Sequence, residues 1–340
     1  ARLALHVAWL KVSGGEPTLY PEFADIVSII HTLGLPFRLL TNGRWPNSER
    51  VLALLEPMAP TITLLVSLHG PDAASHEAFS GVPGSFAEAA ANIRRAAEAG
   101  LTVSTSTVLT RYNWNRVEEM VVLARSLGAD HAVFNRYIGR PLSVLEATPA
   151  QVARAVQRVE TLIAAGEPVR WGTPVPLCAS SRATSGCLAG EAFATVDPWG
   201  NVRPCNHAPL LCGNLLEQEV AEIVDGPALA HWHDFIPSEC ARCAVYSRCH
   251  GGCRAQAMLL GISQDDLIGH PLDTNPNPLP EMILPGEARP VARFEKRTES
   301  FGWLLIHGGR VQPVSASAAP LLEALDGSLT LAEVEHRFGQ

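Results

Sequence analysis

A stretch of fourteen residues, CARCAVYSRCHGGC, holds four cysteines between Cys240 and Cys253 with the spacing C-x2-C-x5-C-x3-C. The other four cysteines of the chain are Cys178, Cys187, Cys205 and Cys212. Thiolates gathered in this way can form disulfides, bind zinc or hold an iron–sulfur cluster. Disulfides mainly serve small secreted chains, whereas this chain has 340 residues and begins with a strand-like segment instead of a signal-peptide pattern. The cysteines therefore indicate metal binding, although only Cys240–Cys243 forms the C-x2-C pair that zinc sites often use twice.

A second group of residues suited to ligand binding lies in the stretch SGGEP. Gly14 and Gly15 would let the backbone approach a ligand closely, because glycine has no Cβ atom and adopts conformations that other residues avoid. Glu16 offers a carboxylate to an ammonium group, and Pro17 fixes the direction in which the chain leaves. Taken alone, the same residues could also form an ordinary tight turn.

The elements that must position these residues alternate along the first half of the chain. Five apolar segments are predicted as strands, at residues 9–13, 37–43, 61–70, 101–110 and 131–139. Five helices are predicted to follow them, at residues 21–34, 47–56, 85–99, 114–127 and 149–164. Strands that are apolar on both faces and separated by helices are typical of a parallel sheet. Five such units in tandem predict an α/β barrel or part of one.

Polar side chains stand at the ends of these predicted strands. The first strand ends in SGGEP, the second in TNG and the third in SLHG, and the later strands carry Thr107 and Arg136. Because the carboxyl ends of parallel strands share one rim, we expect these residues to form a polar ligand site there.

Composition limits the remaining possibilities. The net charge is −8, and no run of lysine and arginine stands out, which argues against nucleic acid or an anionic membrane surface as partner. No apolar run reaches the ~18 residues that a transmembrane helix needs. We therefore predict a cytoplasmic protein. Its predicted domains are a barrel over residues 1–165, a cysteine-rich domain over 166–270, a proline-rich linker over 271–290 and a small third unit over 291–340.

The glycine pair and the cysteines together resemble the motifs of one enzyme family. SGGEPTLYPEF resembles the GGEP motif of radical S-adenosylmethionine (SAM) enzymes, and TNG, VSLHGPDAASHEAFSGVPGSF and VLTRYNW look like later strand ends of the same barrel. From Cys187 the chain reads C-x12-G-x4-C, with Gly200 as the glycine. This interval and C-x2-C-x5-C-x3-C resemble the auxiliary iron–sulfur domain called SPASM. The resemblance implies a partial (β/α)6 barrel followed by an auxiliary-cluster domain, and it favours iron–sulfur over zinc.

The resemblance also implies which residues bind the SAM cofactor. In the family the GGE part of the motif holds the methionine amine, while later strand ends serve the ribose and the carboxylate. The cofactor-binding residues predicted in this way are Gly14, Gly15, Glu16, Pro17, Asn42, Ser67, Thr107 and Arg136.

Three 4Fe–4S clusters are implied by the same resemblance, one catalytic and two auxiliary. The first auxiliary cluster is predicted to take Cys187, Cys205 and Cys253, with Cys178 as its fourth ligand. The second is predicted to take Cys240, Cys243 and Cys249. The family's last ligand is a cysteine further along, and none follows here. Asp265, Asp266 or His270 could replace it, or the site could be open, and Cys212 is interpreted as a buried inert thiol.

One family motif does not occur in this sequence. Radical SAM enzymes carry CxxxCxxC some tens of residues before GGEP, and its thiolates hold the catalytic cluster. Only about ten residues separate ALHV from SGGEP, which is too short for a strand, a cluster loop and a helix. We interpret this as a segment missing between Val7 and Trp9. The other interpretation is a protein that has lost its catalytic cluster.

The third unit, residues 291–340, resembles the small peptide-binding domain of pyrroloquinoline-quinone biosynthesis. Two predicted strands, SFGWLLIHG and GRVQPVS, precede two predicted helices, and the last helix is incomplete at Gln340. Such domains look like a winged helix and bind a leader peptide as an added strand. A DNA-binding winged helix has the same shape, but the acidic helices argue against it. The resemblance therefore implies a maturase of ribosomal peptides, with a precursor peptide and a one-electron donor such as flavodoxin or ferredoxin as partners.

Overall fold

The computed structural model of the chain describes residue 7 and residues 9–140, 144–180, 186–243, 245–269, 285–299, 302–307 and 310–338. The segment predicted to be missing next to Val7 involves Ala8, which lies outside the described residues, as do His270 and most of the predicted linker. Within the described part of the chain, no helix is both long enough and apolar enough to cross a membrane.

Six parallel strands form one sheet in the order β1-β2-β3-β4-β5-β6, which confirms the predicted partial (β/α)6 barrel. The strands are β1 (Leu10–Val12), β2 (Phe37–Thr41), β3 (Ile62–Ser67), β4 (Thr102–Val108), β5 (His131–Asn135) and β6 (Val169–Trp171). The helices between them are α1 (Phe23–Leu33), α2 (Ser48–Leu55), α3 (Ala73–Ser80), α4 (Ser85–Glu98), α5 (Val117–Ser126) and α6 (Pro149–Ala164). The sequence prediction did not include α3 or β6.

The core of the barrel forms where the apolar strands meet the apolar faces of the helices. Leu39, Leu64 and Val103 on neighbouring strands are fully buried, and Ile93 of α4 packs in the same cluster. Burial of one such side chain contributes about 1.5–3 kcal/mol. The helices also begin at defined residues. Thr148 starts α6 with a capping box, in which its hydroxyl accepts from the N–H of Gln151.

A cysteine-rich region follows the barrel and is built from short elements. A three-stranded sheet has the order β7-β8-β9, with antiparallel neighbours. Its strands are β7 (Thr195–Val196), β8 (Asn201–Arg203) and β9 (Gly213–Asn214). The helices that follow are α7 (Val220–Val224), α8 (Pro227–His233), α9 (Tyr246–Cys249) and α10 (Arg254–Leu260). The elements of this region are short, so its structure depends on contacts between buried side chains, including those of the cysteines.

The C-terminal unit contains an antiparallel sheet in the order β10-β11-β12 and two helices. Its elements are β10 (Glu295–Glu299), β11 (Gly302–His307), β12 (Arg310–Ser315), α11 (Ala319–Glu323) and α12 (Leu331–Phe338). The sequence prediction included β11, β12 and both helices but not β10. The unit contacts the cysteine-rich region, because the Arg297 guanidinium donates to the carbonyl oxygen of Glu191 at 2.7 Å. The winged-helix assignment of this unit stays a prediction.

Candidate functional site

The GGEP segment lies at the carboxyl edge of the sheet, directly after β1. Added Cβ atoms on Gly14 or Gly15 would meet no atom within 4 Å, so open space lies beside both backbones. The Glu16 carboxylate points to the neighbouring strand end, where it accepts from the Thr41 hydroxyl at 2.8 Å and from the Asn42 N–H at 2.7 Å. Glu16 therefore ties the first strand end to the second, and the glycine backbones are left facing the space.

The second and third strand ends stand beside this space. Asn42 follows β2 and Ser67 ends β3, and these two strands are hydrogen-bonded neighbours. The Asn42 side chain accepts from the Arg44 N–H at 2.8 Å, which holds the turn after β2. Gly43 lies in this turn with φ +71°, and an added Cβ would meet Val66 at 2.7 Å. The structure thus brings the GGEP, Asn42 and Ser67 positions to one rim.

Two buried histidines fix the loop after β3. The His69 N–H donates to Nδ1 of His76 at 3.0 Å, and Nδ1 of His69 accepts from the Val108 N–H at 3.2 Å. Asn113 donates to the carbonyl oxygen of His69 at 2.7 Å. Burial, with a smaller effect from the His76 ring, lowers the pKa of His69 to about 3. This histidine is therefore neutral at physiological pH and acts as a fixed hydrogen-bonding group of the rim.

The structure corrects the environment expected for Thr107. Its side chain is buried, and its hydroxyl donates to the carbonyl oxygen of Leu68 at 2.6 Å. The hydroxyl proton therefore joins β4 to the end of β3 and is not free for a ligand. This contact favours a structural role for Thr107 over the predicted contact with a cofactor.

Arg136 also lies away from the open rim, in a buried ion pair. Its guanidinium donates to both carboxylate oxygens of Asp265, at 2.9 and 3.0 Å, and to Asp266 at 2.9 Å. The Asp265 carboxylate accepts two further bonds, from the N–H groups of Cys253 at 2.6 Å and Leu267 at 2.9 Å. Arg136 therefore connects β5 to the cysteine-rich region, a structural role that differs from the predicted cofactor contact.

The Asp265 contacts also bear on the predicted substitute ligands of the second auxiliary cluster. Burial raises the pKa of Asp265, but the Arg136 charge and the accepted hydrogen bonds outweigh it and hold the pKa below its usual value. With four donors on its two oxygens, this carboxylate is already satisfied. Asp265 is thus unsuited to bind iron, and Asp266 is half-buried and bound to the same guanidinium.

One group of cysteines surrounds the predicted first auxiliary site. Cys187, Cys205 and Cys253 are all buried and pack in one cluster with Trp232. Cys212 is partly buried and packs against the same cluster, and its N–H donates to the carbonyl oxygen of Val202 at 2.8 Å. Burial raises the pKa of the Cys253 thiol to about 12 in the absence of a metal. The predicted grouping of Cys187, Cys205 and Cys253 agrees with this placement, whereas Cys178 is not part of it.

The other group places Cys178 beside the predicted second site. Residues on either side of Cys178 pack in one cluster with Cys249, and the Leu177 N–H donates to Cys249 Sγ at 3.3 Å. Burial, with smaller contributions from the charges of Cys249, Cys178 and Cys243, raises the pKa of Cys240 to about 11. The neighbours of Cys178 are thus thiols of the second group, which differs from the predicted grouping of Cys178 with Cys187.

A left-handed turn separates the two groups. Between Cys249 and Cys253 the φ angles are +54° at His250, +78° at Gly251 and +77° at Gly252. Three successive residues in this region reverse the chain direction, and glycine adopts it without strain. The turn explains how two cysteines four positions apart join different groups, as the SPASM resemblance implies.

A buried charge pair lies next to the first group. Arg254 is fully buried, and its guanidinium donates to the Cys187 carbonyl oxygen at 3.3 Å and to the Glu191 carboxylate at 2.7 Å. Its Nε atom is buried without a hydrogen-bond partner among the described residues. Sequence reasoning missed Arg254 and Glu191, although Arg254 directly follows the last cysteine. An unsatisfied donor beside buried thiols is the environment that an anionic cluster would complete.

The donor set fits iron–sulfur clusters better than a single metal ion. In the described residues, no three cysteine, histidine or carboxylate side chains converge on one point that could hold a single ion. A 4Fe–4S cluster is held by four cysteine thiolates that surround a core larger than one ion, so its ligands stand farther apart than those of a single metal ion. The two groups of cysteines and the unsatisfied Arg254 donor are therefore compatible with clusters.

Comparison with protein families matches two segments of the chain. Residues 8–124 match the model described as the radical SAM superfamily. Residues 187–253 match the model described as an iron–sulfur cluster-binding domain, SPASM. The first segment contains the GGEP rim, and the second contains Gly200 and every cysteine of the chain except Cys178.

Three curated proteins show similarity over most of their length. Mycofactocin maturase MftC of Mycobacterium ulcerans is 31% identical over 278 residues, which cover 77% of this chain and 74% of that protein. AdoMet-dependent heme synthase of Methanosarcina barkeri is 28% identical, with 73% and 77% covered. PqqA peptide cyclase of Gluconobacter oxydans is 30% identical, with 75% and 74% covered.

The fold is also similar to a solved structure. Streptococcus suis SuiB bound to S-adenosylmethionine superposes with a TM-score of 0.60 at 18% identity and covers 76% of this chain. This chain spans 65% of the length of that SuiB chain. At this identity the similarity concerns the fold, and it supports the barrel followed by a cysteine-rich region.

Proposed function

We propose that this chain, which belongs to the radical SAM superfamily, modifies a ribosomally synthesised precursor peptide. The observation that carries the proposal is the pairing of an open, glycine-lined rim with two groups of cysteines. The rim holds space beside Gly14 and Gly15, and the cysteine-rich region supplies eight thiols in two places. A binding module with a structural zinc site would not need the polar rim.

The chain's own residues bind and orient the reactants. When bound, S-adenosylmethionine and a reduced 4Fe–4S cluster supply a 5′-deoxyadenosyl radical that abstracts a hydrogen atom. Gly14 and Gly15 provide space and free backbone groups for the methionine end of the cofactor, while Glu16 holds Asn42 in place. Ser67 stands at the neighbouring strand end.

The C-terminal unit supports a peptide as substrate. Its three-stranded antiparallel sheet and two helices suit the capture of a leader peptide as an added strand. An open groove of about 640 Å³ lies along α12, lined by Leu329, Ala332, Glu333, His336 and Arg337. Two of the similar proteins are named as a maturase and a peptide cyclase. We place the protein in the cytoplasm, with flavodoxin or ferredoxin as its one-electron donor.

The proposed chemistry is tested by iron content and cofactor cleavage together. The full-length protein, with the segment predicted to be missing beside Val7, is reconstituted without oxygen, and iron, acid-labile sulfide and 5′-deoxyadenosine are measured after reduction in the presence of S-adenosylmethionine. About 12 irons per chain and release of 5′-deoxyadenosine are expected of an enzyme with three 4Fe–4S clusters. Zinc in place of iron would overturn the proposal.

The proposed substrate is tested by binding. Peptides from short reading frames beside the gene are labelled, and their affinity is measured by fluorescence anisotropy. Ala332→Trp fills the groove along α12 and should weaken binding at least tenfold, whereas Glu335→Ala, on the same helix but outside the groove lining, should leave it unchanged. Equal affinity of both variants would contradict the use of this groove.

A second candidate function is a peptide-binding iron–sulfur adaptor that does not cleave S-adenosylmethionine. The observation in its favour is that the sequence contains no cysteine before Cys178 and so no CxxxCxxC motif. It predicts about 8 irons per chain and no 5′-deoxyadenosine.

A family member acting on a tetrapyrrole is the third possibility, favoured by the similarity to a heme synthase. Binding of a tetrapyrrole in place of a peptide would support it.

A further inference from the structure

We propose that the eight cysteines form two complete four-thiolate sites: one from Cys187, Cys205, Cys212 and Cys253, the other from Cys178, Cys240, Cys243 and Cys249. This inference rests on the proposed iron–sulfur function and names the ligands of both auxiliary clusters. It makes Cys178 the fourth ligand of the second site, in place of a cysteine further along the chain. It also makes Cys212 a ligand of the first site.

The backbone beside Cys178 is attached to the second site. The Leu177 N–H donates to Cys249 Sγ at 3.3 Å, and Leu177 and Ala179 pack with Cys249 in one buried cluster. A backbone N–H that donates to a cysteine sulfur is a common partner of a metal-bound thiolate. Cys178 itself is exposed, which leaves its side chain free to turn towards a cluster.

A second contact brings the same stretch of chain to Cys249. An added Cβ on Gly186 would lie 1.5 Å from the carbonyl oxygen of Cys249, so the two backbones touch and only glycine fits. Leu177 and Gly186 therefore both lie against Cys249 and bracket Cys178 in sequence.

The position of Cys212 completes the first site. Cys205 lies two residues after the end of β8, and Cys212 immediately precedes β9. The two strands pair antiparallel with Val202 opposite Gly213, so Cys212 lies one position further along, beside Arg203. Cys212 then packs against the cluster of Cys187, Cys205 and Cys253. Cys212 therefore lies next to the three buried cysteines, and we assign it as their fourth ligand.

Thiol protection tests the partition on the reconstituted wild-type chain and on single variants. Cluster-bound cysteines resist alkylation, and the modified positions are read by mass spectrometry. In Cys240→Ala, Cys178 should become alkylated while Cys212 stays protected. In Cys205→Ala, the pattern should reverse. Neither variant alters the two cysteines whose assignment is tested, so a folding defect at those positions cannot explain the result.

Iron content provides the second readout. Cys178→Ala/Cys240→Ala should lose no more iron than Cys240→Ala alone, about four per chain, whereas Cys178→Ala/Cys205→Ala should lose about eight. Alkylation of Cys178 in Cys205→Ala, or of Cys212 in the wild-type protein, would overturn the partition while the proposed function stands. Wild-type protein without iron would overturn the proposed function, and the partition with it.

Discussion

The buried ion pair between Arg136 and Asp265 should be one of the strongest single contributions to stability, and Asp265→Asn tests it. Both side chains are almost fully buried, with 4% and 0% of their surface exposed. One oxygen of Asp265 accepts from Arg136 and Cys253, and the other accepts from Arg136 and Leu267. In Asp265→Asn an NH2 group replaces one of the two carboxylate oxygens. In either orientation of the amide, this NH2 group faces two N–H donors and cannot accept hydrogen bonds from them.

The expected loss of unfolding free energy follows from this geometry. Removing one partner of a buried ion pair costs about 3–5 kcal/mol, because the remaining charge stays buried. Arg136 keeps its contact with Asp266 at 2.9 Å, so we expect the loss of unfolding free energy to lie in the lower half of that range. Asp266→Asn is the matched control. Its side chain is 46% exposed and accepts from the same guanidinium, so its loss should be at most about 1 kcal/mol.

Urea unfolding followed by circular dichroism measures both variants on the full chain without iron, so that cluster loss does not enter the curve. Arg136→Gln and the double variant Arg136→Gln/Asp265→Asn close a double-mutant cycle. Equal stability of Asp265→Asn and Asp266→Asn, within 1 kcal/mol, would refute the reasoning. It would mean that water or an alternative partner satisfies the arginine.

Three further predictions concern other buried groups. Burial lowers the pKa of His69 to about 3, so below pH ~6.5 the unfolded chain binds a proton that the folded chain does not. The free energy of unfolding should therefore fall by about 1.4 kcal/mol for each pH unit below 6.5. Unfolding curves of His69→Gln should show a smaller slope. Gly186→Ala forces a Cβ into the Cys249 backbone and should lower the melting temperature and the iron content together. Arg254→Gln should lower the reduction potential of the adjacent cluster and Glu191→Gln should raise it, each by roughly tenfold in the redox equilibrium or about 59 mV, as read by electron paramagnetic resonance during redox titration.

Each of these predictions has a result that would contradict it. A pH slope unchanged in His69→Gln would assign the acid sensitivity to other groups. Gly15→Ala is the control for Gly186, because its added Cβ meets no atom; it should keep the wild-type melting temperature and lose affinity for S-adenosylmethionine. Potentials that move in the same direction in Arg254→Gln and Glu191→Gln would indicate a structural disturbance instead of an electrostatic effect.

The alternation of strands and helices could be predicted because the strands are rich in apolar or β-branched residues. Strands β2 to β5 have five to seven residues and show this pattern, whereas β6 has only three residues, Val169–Trp171. Helix α3, AASHEAFS, was missed because its buried residues include Ser75 and His76, which give no apolar period. The local pattern therefore predicted β4, whose buried polar residues are partly β-branched threonines, but missed α3, whose buried residues follow no apolar period.

The contacts of the candidate site depend on the path of the chain and could only partly be predicted. Open space beside Gly14 and Gly15 could be predicted because glycine has no side chain, and the structure shows this space. The partner of Arg136 lies 129 positions away, and no spacing rule connects Arg136 to Asp265. Likewise, Cys178 is only nine residues from Cys187 in sequence, but the N–H of the neighbouring Leu177 donates to Cys249 Sγ at 3.3 Å. Spacing in the sequence does not predict which residues are in contact when irregular segments connect them.

The left-handed turn between Cys249 and Cys253 has a consequence for electron flow. Four residue steps span at most about 14 Å even when fully extended, and the turn shortens this span. Two clusters that take ligands from the two ends of this turn must therefore lie within tunnelling range of each other. With both proposed clusters in place, electrons can pass between them without an intermediate carrier. Lengthening this turn by a few residues would increase the distance between the two sites and should slow electron transfer between them.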